Sequence, residues 1–231
     1  MTFSIVAWDE KTGMTGVAVA TKHLAVGALV PHVRAGVGAI ATQAQTNPLL
    51  GIQGLHLLEH SRHASPDRIL QRLLQNDSER DQRQLHLVNC HGQTAAWTGK
   101  DCIGWAGHFT FPGFSVAGNM LVNKKTVLAM ADAYQQTAHK PLSERLLLAL
   151  EQGDAAGGDK RGRQSAALYI MDTSTYPHLD LRVDHHEQPI ITLRTLFEES
   201  CKDYYQSFRQ SMPIERAQIL TMDAAWLDEA V

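Results

Sequence analysis

Residues 1–23, MTFSIVAWDEKTGMTGVAVATKH, decide the reading of this chain. FSIVAWD alternates loosely between apolar and polar residues, EKTG supplies turn residues, and MTGVAVATK is small and β-branched. That is the pattern of a hairpin. A threonine stands directly behind Met1, at the head of the first strand. Removal of Met1 would leave the Thr2 hydroxyl beside a free α-amine, a nucleophile and its base within one residue.

Working outward, HVRAG and VGAIATQAQ read as two more strands, punctuated by Gly36 and Gly38, so that four strands open the protein. From Gly51 the apolar period becomes helical through Ile52, Leu55, Leu57 and Leu58. Ser65-Pro66 is a helix entry into SPDRILQRLLQND. RQLHLVN and QTAAWTG form a second hairpin around Cys90-His91-Gly92, and SVAGNMLV leads into the helical NKKTVLAMADAYQQ. LSERLLLALEQG is a further helix, RQSAALYIMD a strand, and ITLRTLFEESCKDYYQSF one final helix. Helices are expected near residues 51–61, 66–76, 124–137 and 142–152. Grouped strands and grouped helices predict stacked sheets with helices outside, in an α+β chain.

Bulk properties narrow the function. The 231 residues are 44% apolar and 19% charged, with a formal charge of −3, which gives no electrostatic footprint for nucleic acid or an anionic membrane surface. No apolar run approaches a membrane span, and no basic-then-apolar leader opens the chain. Three widely spaced cysteines, Cys90, Cys102 and Cys201, fit a reducing compartment rather than a disulfide framework, so a cytoplasmic protein is expected. A single domain is expected over residues 1–231, with a C-terminal helix and tail from about residue 190. The twelve histidines show no metal-ligand spacing, and Gly92–Lys100 and GGDKRG both fail as phosphate loops. Neither a metal nor a cofactor is expected. Leu196, Phe197, Tyr204, Tyr205 and Phe208 fall on one helical period, which packs on the domain or forms a homodimer seam.

The blocks TFSIVAWD, GVAVATKHLAVGALVP, GAIATQAQTNPLLG, WAGH, AGNML and GDAAGGDKRGRQSAAL resemble the DUF1028 family of bacterial proteins up to about residue 200. That family is similar to the N-terminal-nucleophile (Ntn) hydrolases, and the resemblance implies a four-layer αββα sandwich. Proteasome β-subunits and HslV-type proteases are a more distant likeness. They also begin with Thr on a strand, and they carry a strand-to-helix turn resembling Gly38–Thr42. Their late helix ends in an Asp-led Gly-Gly block similar to Asp154-Ala155-Ala156-Gly157-Gly158, with Ala156 where they have serine. Lys22 falls where those enzymes place an acidic residue, and the third strand offers no counterpart of their catalytic lysine.

The resemblance and the residues together imply an amidohydrolase acting on a small, anionic amide or peptide-like substrate. Thr2, Lys22, Asp154 and Asn119 are the expected catalytic set. Thr2 is the nucleophile, Asn119 an amide donor to the oxyanion, Asp154 the group that orients the amine, and Lys22 a neighbour that lowers the amine pKa or binds a substrate carboxylate. Thr42, Gln43 and Asn47 stand at a strand-to-helix junction whose backbone amides attract anions. Lys160, Arg161 and Arg163, in a glycine-rich stretch, suit a substrate carboxylate, and Gln164 and Ser165 open the next strand beside them. Each also has an ordinary reading: a solvated basic loop, a turn-forming Asn, helix caps. The competing account of the whole is a non-catalytic protein of the same fold that binds a small molecule or serves in an assembly.

Overall fold

The computed structural model describes residues 2–61, 64–157 and 162–213. One sheet holds six antiparallel strands in the order β10 (Leu179–Val183), β9 (Ser165–Met171), β2 (Thr15–Thr21), β1 (Thr2–Trp8), β8 (Phe114–Leu121) and β7 (Trp105–Phe111). The other holds four, β3 (Pro31–Arg34), β4 (Gly38–Ala44), β5 (Arg83–Asn89) and β6 (Thr94–Thr98). The two sheets face each other through β1, β2 and β8 on one side and β3, β4 and β5 on the other. Helices α3 (Lys125–Gln136), α4 (Leu142–Ala155) and α5 (Pro189–Ser200) cover the six-stranded sheet, and α1 (Pro48–His60) and α2 (Pro66–Gln75) cover the four-stranded one. This is a four-layer αββα sandwich, two stacked sheets with helices outside. No helix among the described residues is long and apolar enough to cross a membrane.

Strand alternation explains the layering, because successive side chains on a strand point to opposite faces. In β1, Phe3, Ile5 and Ala7 pack under α3 and α4 with Met130, Leu146 and Leu150. Val6 points the other way, into a core between the sheets shared with Val17, Val19, Ala39, Ala41 and Val88. A third core fills the gap between the four-stranded sheet and α1 and α2, around Ile40, Leu55, Ile69 and Leu87. Thr2 and Ser4 share the Val6 face. The nucleophile candidate therefore looks between the sheets and not toward the helices.

The opening hairpin forms as expected, and its register sets Thr2 opposite Thr21 and Val6 opposite Val17. On its other side β1 pairs with β8, which sets Thr2 opposite Asn119. Two features depart from the sequence reading. Trp105–Phe111 is a full strand, where the sequence reading had only the short block WAGH. The expected final helix is two, α5 and α6 (Asp203–Ser211), parted at Lys202, whose backbone is extended. Ile190, Leu193 and Phe197 bury α5, and the Ser200 hydroxyl then donates to the Phe197 carbonyl at 2.6 Å. No residue of α6 is buried, and Tyr204 and Phe208 are exposed.

Candidate active site

The first residues of β1, the end of β2 and the turn after β4 converge on one cavity of about 310 Å³. Thr2, Thr21, Lys22 and His23 line it on one side, Ala44, Gln45 and Thr46 on another, and Leu24, Val26, Leu29 and Val30 form an apolar wall. Thr2 is buried except for 7% of its surface. Its hydroxyl lies 3.0 Å from that of Thr21, the direct consequence of their facing register. Among the described residues the lining holds two basic side chains, Lys22 and His23, and no acidic one. Such a cavity favours an anionic ligand with an apolar portion.

The loops around the cavity are held from outside. Ser165 donates its hydroxyl to the His23 carbonyl at 2.6 Å and accepts the Val26 amide at 3.1 Å, which ties the wall to β9. Arg83 donates to the Gln45 carbonyl at 2.7 Å and is itself gripped by Asp77 and Glu79. Burial opposes ionisation of the Asp77 carboxyl, yet hydrogen bonds from Arg83 and its neighbours outweigh it and hold the pKa low. The three non-glycine residues with left-handed backbone among the described residues are Ala25 (φ 53°), Ala44 (φ 69°) and Met120 (φ 54°). Ala44 lines the cavity, Ala25 sits in its wall loop, and Met120 follows Asn119. Strain of this kind persists where surrounding structure enforces it and concentrates at functional sites.

Behind Thr2 the space between the sheets is polar. Ser4 donates to Gln43 Oε1 at 2.7 Å and lies 2.8 Å from His86 Nε2, while His86 Nδ1 lies 3.2 Å from the Ser115 hydroxyl. Gln43 and Asn119 both donate to Gln84 Oε1, at 2.8 and 3.0 Å. Ser4 has one proton and gives it to Gln43, so His86 Nε2 must carry hydrogen and Nδ1 must accept from Ser115. Burial, with a smaller contribution from nearby His108, pushes the His86 pKa down to about 3, so the ring is neutral.

The structure brings some of the sequence candidates together and separates others. Thr2, Lys22 and Asn119 stand at one end of the six-stranded sheet, Lys22 and Thr2 at the cavity and Asn119 beside Thr2 across the β1–β8 pairing. Asp154 does not line the cavity: its carboxylate is bound by Arg163, and burial raises its pKa against the opposing pull of that arginine. Lys22 donates to the Arg163 carbonyl at 3.4 Å. Gln43 belongs to the buried network, whereas Thr42 lies on the opposite face of β4 and donates to the Asn47 carbonyl. Asn47 caps α1, accepting the Leu49 amide at 3.2 Å. Gln164 bonds through its backbone to Thr21 and His186. Lys160 and Arg161 lie outside the described residues.

Sequence reasoning missed Thr21, Leu24 and Leu29 in the cavity and Ser4, Gln84, His86 and Ser115 behind it. The hairpin register could have found Thr21, because a turn over residues 9–14 sets Thr2 and Thr21 opposite each other.

A buried threonine heads a central strand and opens on a cavity between two helix-covered sheets. The family model described as a family of unknown function, DUF1028, matches residues 2–193, and the chain belongs to that family. The crystal structure of protein SPO2555 from Silicibacter pomeroyi, of the same family, is 31% identical and aligns over 93% of this chain and 98% of its own with a TM-score of 0.85. Anbu (ancestral beta-subunit) from Yersinia bercovieri aligns over 92% of this chain and 99% of its own, at 12% identity and a TM-score of only 0.40. No curated protein matches the sequence.

Proposed function

We propose that the protein is an amidohydrolase that uses Thr2 as an N-terminal nucleophile on a small amide bearing a carboxylate. The observation that carries this reading is the Thr2 hydroxyl, bonded to Thr21 at 3.0 Å within a cavity lined by Lys22 and His23. Removal of Met1 frees the α-amine, whose ordinary pKa of about 7.7–8.0 leaves part of it neutral near pH 7. The amine takes the hydroxyl proton as Oγ1 bonds to the substrate carbonyl carbon. It returns that proton to the leaving nitrogen as the C–N bond breaks, and water then cleaves the threonyl ester to release the acid. Asn119, beside Thr2, and the backbone amide of Thr46, which lines the cavity, are the oxyanion donors in this reading. Lys22 and His23 hold the substrate carboxylate, and the apolar wall receives the remainder.

The ion pair between Asp154 and Arg163 favours a second reading, a binding protein without catalysis, because it leaves Asp154 committed away from the amine. Hydrolysis of a panel of carboxylate-bearing amides by wild type and Thr2→Ala separates the two. The enzyme reading expects activity that falls by about 10²–10⁴ in Thr2→Ala, the scale of positioned proton transfer and nucleophile activation. No activity in either protein, with binding intact, favours the second, and equal activity in both contradicts Thr2 as the nucleophile.

A further inference from the structure

β1 runs from Thr2 to Trp8, about 20 Å along an extended strand. Where it leaves the sheet it borders another cavity, of about 550 Å³. Trp8 supplies its accessible aromatic surface, while Phe114 and Tyr134 form the buried floor beneath. The Trp8 indole is seated on Gly92, where an added Cβ would come within 2.9 Å of the ring. The exposed Glu10 and Lys11 offset each other at the rim.

Arg145 also lines this cavity, and its hydrogen bonding is poor for a side chain only 12% exposed. Its guanidinium carbon sits 3.9 Å from the Tyr134 ring centroid, so the fork is stacked in place. Nη2 donates to the Tyr134 carbonyl at 3.4 Å, Nη1 stands 3.7 Å from Asp9, and Nε is buried without a partner among the described residues. Asp9 is held back from Arg145 by Thr12, which donates to its other oxygen at 2.6 Å. Arg194, by contrast, makes three bonds of 2.7–2.9 Å to Glu151 and Glu144. A planar five-donor fork that is stacked, enclosed and under-bonded matches a carboxylate, which takes two parallel N–H bonds from it.

We propose that this cavity is a second ligand site, separate from Thr2, that binds a small aromatic carboxylate with its charge on Arg145 and its ring against the Trp8 indole. Flat rings pair favourably with such an indole in offset or edge-on arrangements. The ligand displaces the loose Asp9 contact. Asp9 is thus a competitor for the site and not a part of its recognition.

Isothermal titration of the full chain with benzoate, and with benzamide as its neutral counterpart, tests the site. Saturable benzoate binding is expected, at least tenfold tighter than benzamide. Arg145→Met, which keeps an apolar stem, should lose it at least tenfold, and Lys22→Ala, at the Thr2 cavity, should change it less than twofold. Should Arg145→Met fail to fold, Asp9→Asn decides: removing the competing carboxylate should tighten benzoate severalfold. No saturable binding, equal affinity for benzamide, loss in Lys22→Ala, or an Asp9→Asn affinity no better than wild type would each overturn the proposal.

Discussion

Ser4 Oγ and His86 Nε2 lie 2.8 Å apart across the gap between the two sheets, both fully buried. The imidazole is neutral there, with a pKa of about 3 against an ordinary value of 6.5. Between those values the unfolded chain binds a proton that the folded chain refuses, so stability falls as pH falls. This one group costs about 1.4 kcal/mol per pH unit across that window. His32, His108 and His178, each lowered chiefly by burial, act in the same direction. Urea midpoints should drop from pH 7 to pH 4, and His86→Gln should show a shallower drop than wild type.

Gly38 has a φ of +148°, and a Cβ there would stand 2.2 Å from the Val88 carbonyl oxygen on the neighbouring strand. Backbone cannot yield as a flexible side chain can. Gly38→Ala should lose about 2 kcal/mol or more, combining overpacking with a strained dihedral. Gly36→Ala is a control for dihedral strain alone, since its added Cβ meets nothing within 4 Å. Thermal denaturation of the two variants should rank them in that order.

Arg83 and Asp77 form a pair whose side chains are 7% and 8% exposed, and Arg83 also fixes the Gln45 carbonyl at the edge of the cavity. Arg83→Met strands the Asp77 carboxylate and should cost about 3–5 kcal/mol. Arg83→Lys keeps the charge but not the fork, so it should be the milder change. Hydrogen exchange at the Gln45 amide, which donates to the Gln82 carbonyl at 3.1 Å, should nonetheless quicken in Arg83→Lys, because the turn has lost its clamp.

The layers of this fold were legible because they follow from local patterns. The β1–β2 hairpin came from alternation and turn residues, and α2 from Ser65 and Pro66, where the Ser65 hydroxyl does accept the Arg68 amide. The site was legible only where register could be read, as for Thr2 and its strand neighbours. Gln43, Gln84 and His86 look like ordinary polar positions of strands, and only the facing of two sheets reveals that they bond to one another. Asp154 stood in a familiar block, yet its nearest strong partner, Arg163, follows it across a loop that pattern cannot fold. The break before α6 escaped notice because the apolar period runs on past Lys202 while burial does not.

The cavity's charge makes a kinetic prediction. With Lys22 in its lining beside His23, amides bearing a carboxylate should be hydrolysed with lower KM than their neutral counterparts. Added salt should raise KM for the anionic set, since Lys22 and His23 are exposed and screened within about 10 Å at 0.1 M. Lys22→Ala should remove most of that salt dependence and leave kcat largely intact. A KM equal for charged and neutral amides would contradict a cationic subsite.

The most direct test of the nucleophile is the mass of the intact protein before and after treatment with a carboxylate-bearing β-lactone, followed by peptide mapping. Attack by the Thr2 hydroxyl opens the lactone ring and leaves its acyl group as an ester. The account predicts a chain that has lost Met1 and gains one acyl mass, mapped to Thr2 and absent from Thr2→Ala. A chain that keeps Met1 throughout, or an adduct that persists in Thr2→Ala, would contradict it.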